Sequence, residues 1–270
     1  MKNQRDGKST SAGGWDGFGQ PGDVKSNLLT RKKKRGCTMV DHRTDIEGLH
    51  EPSIAVVGVG GAGCNVISEF FGSLCSVDTI AINTDKDALH NRTQADQKIY
   101  ICKEVLKGEG ARGDAAIGKK CADIHREEIR EAVAGHDFVF VVAGLGGGTG
   151  TGAASVVIEA AQSQGIMTFA IAIAPFSFEG SRIETAKIGY AHIKNVCRSS
   201  ILVENDLVLN HMSDLSPEKA FREVNRSIMK YVMDQVRIVN EIYDDEASKP
   251  RMVTEKAPEN AFPIRQLMSA

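Results

Sequence analysis

The chain has no apolar run approaching the ~20 residues needed to span a bilayer. Its start, Met1-Lys-Asn-Gln-Arg-Asp-Gly7, has no apolar core of a signal peptide. The six cysteines, at 37, 64, 75, 102, 121 and 197, form no Cys-x-x-Cys pair, and the seven histidines have no metal-ligand spacing. These absences predict reduced thiols in a cytoplasmic protein, with no disulfide framework and no protein metal site. Cys64 alone stands where a helix N-terminus would lower a thiol pKa; an inert packed cysteine is the plainer expectation. The formal net charge is only −2 over 270 residues, which gives no polyelectrolyte argument for nucleic acid.

What is present is glycine in two places. Residues 138–152 run Phe-Val-Phe-Val-Val-Ala-Gly-Leu-Gly-Gly-Gly-Thr-Gly-Thr-Gly. A valine-rich strand pattern enters a loop of Gly144, Gly146, Gly147, Gly148, Gly150 and Gly152, and a helical pattern follows from Ala153. Loop amides without Cβ atoms can turn toward one anion, and the next helix adds its free N–H groups and positive dipole end. A flexible linker is a poor alternative, because buried-type runs flank the loop on both sides. Earlier, Ser53-Ile-Ala-Val-Val57 leads into Gly58-Val-Gly60-Gly61-Ala62-Gly63-Cys64-Asn65. A helical pattern follows, then the strand Asp78–Ile82 and Asn83-Thr84-Asp85. Alone, Gly58, Gly60 and Gly63 spell a dinucleotide fingerprint, with Asp85 where a ribose-binding acid would sit. A second glycine loop on a later strand is what that reading does not need.

These residues resemble the FtsZ/tubulin superfamily of GTP-binding, filament-forming proteins. Gly146–Gly152 matches its signature heptad Gly-Gly-Gly-Thr-Gly-Thr-Gly without a mismatch. Gly58–Asn65 and Asn83–Asp85 are similar to its first two nucleotide loops, and Pro175-Phe-Ser-Phe-Glu-Gly180 to its ribose loop. The resemblance covers about 54–242. It implies binding of GTP or GDP, with Mg²⁺ accompanying the nucleotide. The residues it implies are Gly60, Gly61, Ala62, Gly63 and Asn65; Asp85; Gly110, Ala111 and Arg112; and the heptad Gly146, Gly147, Gly148, Thr149, Gly150, Thr151 and Gly152. Pro175, Glu179 and Arg182 follow on the ribose side, and Phe221 and Asn225 at the base. Gly113–Lys120 nearly spells a P-loop, but Lys120 replaces the Ser/Thr that would hold Mg²⁺. The better reading is the preceding stretch Gly108-Glu-Gly-Ala-Arg112-Gly113, which resembles the family's third loop and is expected to face the terminal phosphate.

Alternating elements predict an α/β fold: a doubly wound, mostly parallel sheet with a long central helix at its C-terminal end. Strands are expected near 54–57, 78–82, 98–102, 137–143, 167–174 and 200–203, and helices near 63–74, 115–134, 152–164, 181–196 and 217–243. The last helix has Ser216 as cap, Pro217 in its first turn, and a buried stripe of Ala220, Val224, Ile228, Val232, Val236 and Val239. On one face of it, Phe221 offers a ring to a base and Asn225 an amide to a guanine edge, as the family resemblance implies. The folded domain is expected over 51–243. Polar tails are expected at 1–50 and 244–270. The block Arg31–Arg35 is an expectation for contact with an acidic membrane, with no specific nucleic-acid partner.

The family's catalytic acidic pattern, Gly-Leu-x-Asn-x-Asp-x-x-Asp, is missing where Asp244-Asp-Glu-Ala-Ser-Lys-Pro-Arg251 stands. The resemblance therefore implies the nucleotide-binding domain without the C-terminal activation domain and its acidic loop. Three readings follow. The first is a GTP-binding FtsZ-like protein in filament-linked cell division or membrane remodelling, with hydrolysis slow alone or completed in trans by an FtsZ-type partner. The second is a self-assembling GTPase, a homo-oligomer using Asp244, Asp245 or Glu246. The third is an NAD-binding oxidoreductase on a dinucleotide fold.

Overall fold

A strand buried on both faces reads as an unbroken apolar run, and such strands build parallel sheets covered by helices. In the computed structural model of the chain, six strands do this: β1 (Ile54–Val59), β2 (Val77–Asn83), β3 (Gln97–Tyr100), β4 (Phe138–Gly144), β5 (Met167–Ala174) and β6 (Ser200–Glu204). The structure describes residues 52–72, 77–102, 106, 108–209 and 216–248. The basic block Arg31–Arg35 and residues 249–270 lie outside them.

All pairings are parallel, in the order β3-β2-β1-β4-β5-β6. β1 sits at the centre, with Val57 beside Ile80 of β2 and Val141 of β4. The chain switches direction across the sheet between β1 and β4, and a crevice opens beyond the carboxyl ends of strands at such a point.

Period-two alternation divides the strand side chains between two cores. Ala55, Val57 and Val59 face helices α2 (Ala115–Ile124), α3 (Arg126–Val133), α4 (Gly148–Gln162) and α5 (Arg182–Val196). Ile54, Val56, Phe138 and Phe140 face α1 (Gly60–Phe70) and the last helix. A short α6 (Asn205–Leu209) precedes that last helix, α7 (Pro217–Ser248). The expected stripe on α7, from Ala220 through Val224, Ile228, Val232 and Val236 to Val239, is buried. No described helix is long and apolar enough to cross a membrane.

Several boundaries differ from the sequence expectation. α1 starts at Gly60 and α4 at Gly148, each inside its glycine run. The helix expected over 115–134 breaks at His125, whose backbone leaves the helical region (φ −99°, ψ 19°). Its ring explains the break. Nε2 accepts from the Cys102 amide at 2.9 Å, so the proton sits on Nδ1, which reaches Glu128 Oε2 at 2.9 Å. α7 continues to Ser248, so Asp244, Asp245 and Glu246 belong to its final turns and not to a loop.

The thiol expectation is also corrected. Cys102 and Cys121 form a disulfide, with Cα atoms 5.2 Å apart. The 19-residue separation hides the pair in sequence. It arises because α2 folds back under the exit of β3. Cys64 and Cys197 are free and buried. Burial pushes the Cys64 thiol up to about 12, which outweighs any helix-terminus effect and leaves it inert.

Candidate functional site

The exits of β1, β2, β4 and β5 surround a cleft of about 410 Å³. Two helices begin in it. Gly61 and Ala62 in the first turn of α1, and Gly148, Thr149 and Gly150 in the first turn of α4, line its floor. Neither N-cap residue, Val59 or Gly147, has a side chain that can accept from its helix. Both sets of first-turn N–H groups therefore lack a side-chain cap, as at anion sites on helix N-termini.

The glycines of the two loops do different jobs. A Cβ at Gly150 would strike the carbonyl of Gly144, one at Gly63 the carbonyl of Val142, and one at Gly152 the carbonyl of Ala115. One at Gly148 would come within 2.7 Å of Ala111 Cβ and 2.9 Å of the Asp114 backbone. Gly60 and Gly146 have left-handed φ values of 72° and 89° and lie against Gly150 and Arg182. These positions are glycine because backbone packs on backbone. Among the described glycines, only Gly61 and Gly147 have neither a left-handed φ nor any atom within 4 Å of a Cβ placed there. Both line the cleft. No internal packing accounts for glycine at either, and together they leave room where two chain segments border one cavity.

Side chains brace this floor. Thr84 and Thr149 share a hydroxyl–hydroxyl bond of 2.6 Å, tying the exit of β2 to the start of α4. Thr151 Oγ1 accepts from the Gly146 amide at 2.9 Å. Asn83 Oδ1 accepts from the amides of Thr84 and Asp85. Asp85 in turn caps the turn at Ala88, at 2.9 Å. One wall is the stretch from Glu109 to Gly113. Asp114 then starts α2 by accepting from Ala116 and Ile117, so the P-loop look-alike is a capped helix with Lys119 and Lys120 exposed on it.

The far end is built from β5, β6 and α7. Glu179 Oε1 accepts from the Phe176 amide at 2.9 Å, and its Oε2 accepts from Arg182 at 2.8 Å. Phe221 meets the buried ring of Phe176 edge-on, 4.9 Å between centroids, and keeps 42% of its surface exposed. Asn205 is 3% exposed, lines the cleft, and its Oδ1 has no partner. A buried amide oxygen left unpaired beside a cavity is costly unless a ligand donor or water satisfies it.

The expected residues divide accordingly. Gly61, Ala62, Asp85, Gly110, Ala111, Arg112, Gly147, Gly148, Thr149, Gly150, Pro175, Glu179, Arg182 and Phe221 line one cleft. Gly60, Gly63, Gly146, Thr151 and Gly152 stand behind it as the packing just described. Asn65 is exposed on α1. Asn225, one turn beyond Phe221, gives its amide to Glu69 Oε1 at 3.2 Å, and is not on the cleft wall. Sequence reading overlooked Asn205; the available signal was a polar residue just past the carboxyl end of an expected strand.

Residues 53–213 match the Tubulin/FtsZ family, GTPase domain. The chain belongs to the tubulin/FtsZ family. It is 36% identical over 211 residues to Cell division protein FtsZ 2 of Haloferax volcanii, covering 78% of this chain and 52% of that one. It thus spans about half the length of that curated relative. Among solved structures it is similar to an empty FtsZ dimer of M. jannaschii (TM-score 0.67, 36% identity, 71% of this chain and 56% of that one). It is also similar to a GDP-bound CetZ1 monomer of Haloferax volcanii (TM-score 0.60, 25% identity, 66% and 58%). The tubulin/FtsZ GTPase-domain fold, a parallel sheet ending in a long helix, is therefore the fold of this chain.

Proposed function

We propose that the cleft binds a guanine nucleotide, GTP or GDP, with Mg²⁺ travelling on the phosphates. The observation that carries this reading is the pair Gly61 and Gly147, two unpacked glycines in one cavity beside two helix N-termini without side-chain caps. The phosphates lie against the first turns of α1 and α4 and the Gly110–Gly113 wall. Glu179 stands on the ribose side. Phe221 gives a face to the base, and Asn205 gives an unpaired acceptor to its edge. Family membership and the GDP-bound relative support the guanine assignment. The NAD reading loses its footing, because the second glycine loop lines the same cleft as the first.

Hydrolysis is slow alone or completed in trans by an FtsZ-type partner. In support, Asp244, Asp245 and Glu246 continue α7 and do not form a loop. The protein acts in filament-linked cell division or membrane remodelling, and the sequence block Arg31–Arg35 is the segment proposed to meet an acidic membrane. The test is to incubate the chain with GTP and Mg²⁺, desalt it, denature it, and identify what it kept by chromatography. Retained GTP is the expected result. Retained GDP would move the hydrolytic role to this chain's own acids, and neither nucleotide would sink the reading.

A further inference from the structure

Five charged residues line the cleft: Asp85, Glu109 and Glu179 against Arg112 and Arg182. Each arginine is held by the glutamate three residues before it, Arg182 by Glu179 and Arg112 by Glu109. The acids outnumber the bases, so a polyphosphate entering with its Mg²⁺ gains further from any guanidinium released toward it.

The two arginines stand on different walls of the cleft, Arg182 against Gly146 and the Arg112 stretch against Gly148. Arg182 starts α5 beside Glu179, at the end with Phe176 and Phe221. Arg112 is on the wall that packs against the first turn of α4, where Ala111 abuts Gly148. The end of a nucleotide farthest from its base lies against that wall. Arg112 also has φ 47°, a left-handed backbone that favours glycine, and glycine does fill Gly108, Gly110 and Gly113 around it. A bulky side chain on such backbone inside a site is the kind of outlier that points to a function. Its pair with Glu109 is solvent-exposed, with the side chains 74% and 61% accessible, so it is weak and exchangeable. A phosphate takes a guanidinium by two parallel bonds and competes well for it. Glu109 pairs by a backbone bridge with Asp85, so two carboxylate-bearing residues stand together where Arg112 would leave them.

We infer that Arg112 distinguishes a nucleoside triphosphate from a diphosphate by exchanging Glu109 for the terminal phosphate. This rests on the guanine-nucleotide reading above. Glu109 is the competing anion that holds Arg112 when the terminal phosphate is missing, and Arg112 is the specificity-determining residue of the phosphate end.

The test measures the Kd of GTP and of GDP, with Mg²⁺, for the full chain and four variants. Arg112→Gln should weaken GTP roughly tenfold and GDP less than about twofold, the loss of one charge-assisted contact. Arg112→Gly should do the same while relaxing the backbone, so that misfolding cannot account for the loss. Arg112→Lys should recover part of the preference, and Glu109→Gln should tighten GTP several-fold without moving GDP. Equal losses for both nucleotides, or no loss in either Arg112→Gln or Arg112→Gly, overturn the inference alone. Failure of the unaltered chain to bind either nucleotide overturns the guanine reading itself.

Discussion

Gly147→Ala separates a glycine kept for a ligand from a glycine kept for packing. Gly147 has φ −98° and ψ 178°, a conformation any L-residue adopts, and nothing within 4 Å of a Cβ. Folding should therefore tolerate the methyl. The stability should rise by about 0.4–1 kcal/mol, because the unfolded chain loses freedom. The methyl enters the cleft beside the amides that open α4. If it displaces a phosphate from one charge-assisted bond, about 1.5–3 kcal/mol of binding goes, roughly ten- to a hundredfold in Kd. Gly150→Ala is the control. Its Cβ meets the Gly144 carbonyl, which is backbone in the sheet and cannot rotate away, so it should cost about 1–3 kcal/mol or more of stability. The assays are GTP titration by calorimetry and urea unfolding of both variants. Unchanged GTP affinity in Gly147→Ala, with stability intact, would refute the argument that this position is open for a phosphate.

Asn205→Leu removes a buried acceptor that no protein group satisfies. It should leave the thermal transition in place yet erase the preference for GTP over ATP in a competition titration; a retained preference would take Asn205 out of the base site. Cys102→Ser breaks a loop closure spanning 19 residues. It should lower unfolding stability by about 3 kcal/mol under oxidising conditions and not under reductant. Equal stability of variant and wild type without reductant would mean the bond does not form. For Cys64, the thiol ionises near 9.0 in the unfolded chain and is pushed up to about 12 in the fold by burial. Its contribution is complete below about 9 and is lost progressively as pH rises toward about 12. Cys64→Ala should therefore flatten part of the alkaline fall in urea stability; parallel curves for variant and wild type would show that the thiol titrates alike in both states.

The sheet and the long helix were legible because their signals are redundant. Phe138–Gly144 is apolar on both faces and can only be an inner strand, and the stripe from Ala220 to Val239 has six buried members at three- and four-residue spacing. The helix starts were not legible. A run such as Gly146–Gly152 carries no side-chain pattern, so nothing local says that Gly148 is already helical. His125 was hidden for a different reason: its ring breaks the helix by reaching the Cys102 amide, a contact set by the return of the chain and not by neighbours in sequence. The same return brings Cys121 to Cys102.

The division of labour within the heptad is the part that three dimensions alone supply. Gly147, Gly148, Gly150 and Gly152 are chemically identical, and a motif treats them alike. Their Cβ vectors do not: one points into open cleft, two into backbone, and that of Gly148 into Ala111 Cβ and the Asp114 backbone. The three packing glycines let α2 and β4 approach the first turn of α4 so closely that its N–H groups are fixed in direction. The open glycine then leaves those groups uncovered. A loop that only exposed amides would be mobile, and one that only packed would be sealed. Both kinds of glycine, from the N-cap into the second turn of α4, would give the proposed nucleotide site a pre-set anion cradle, so that binding there would lose little ordering entropy.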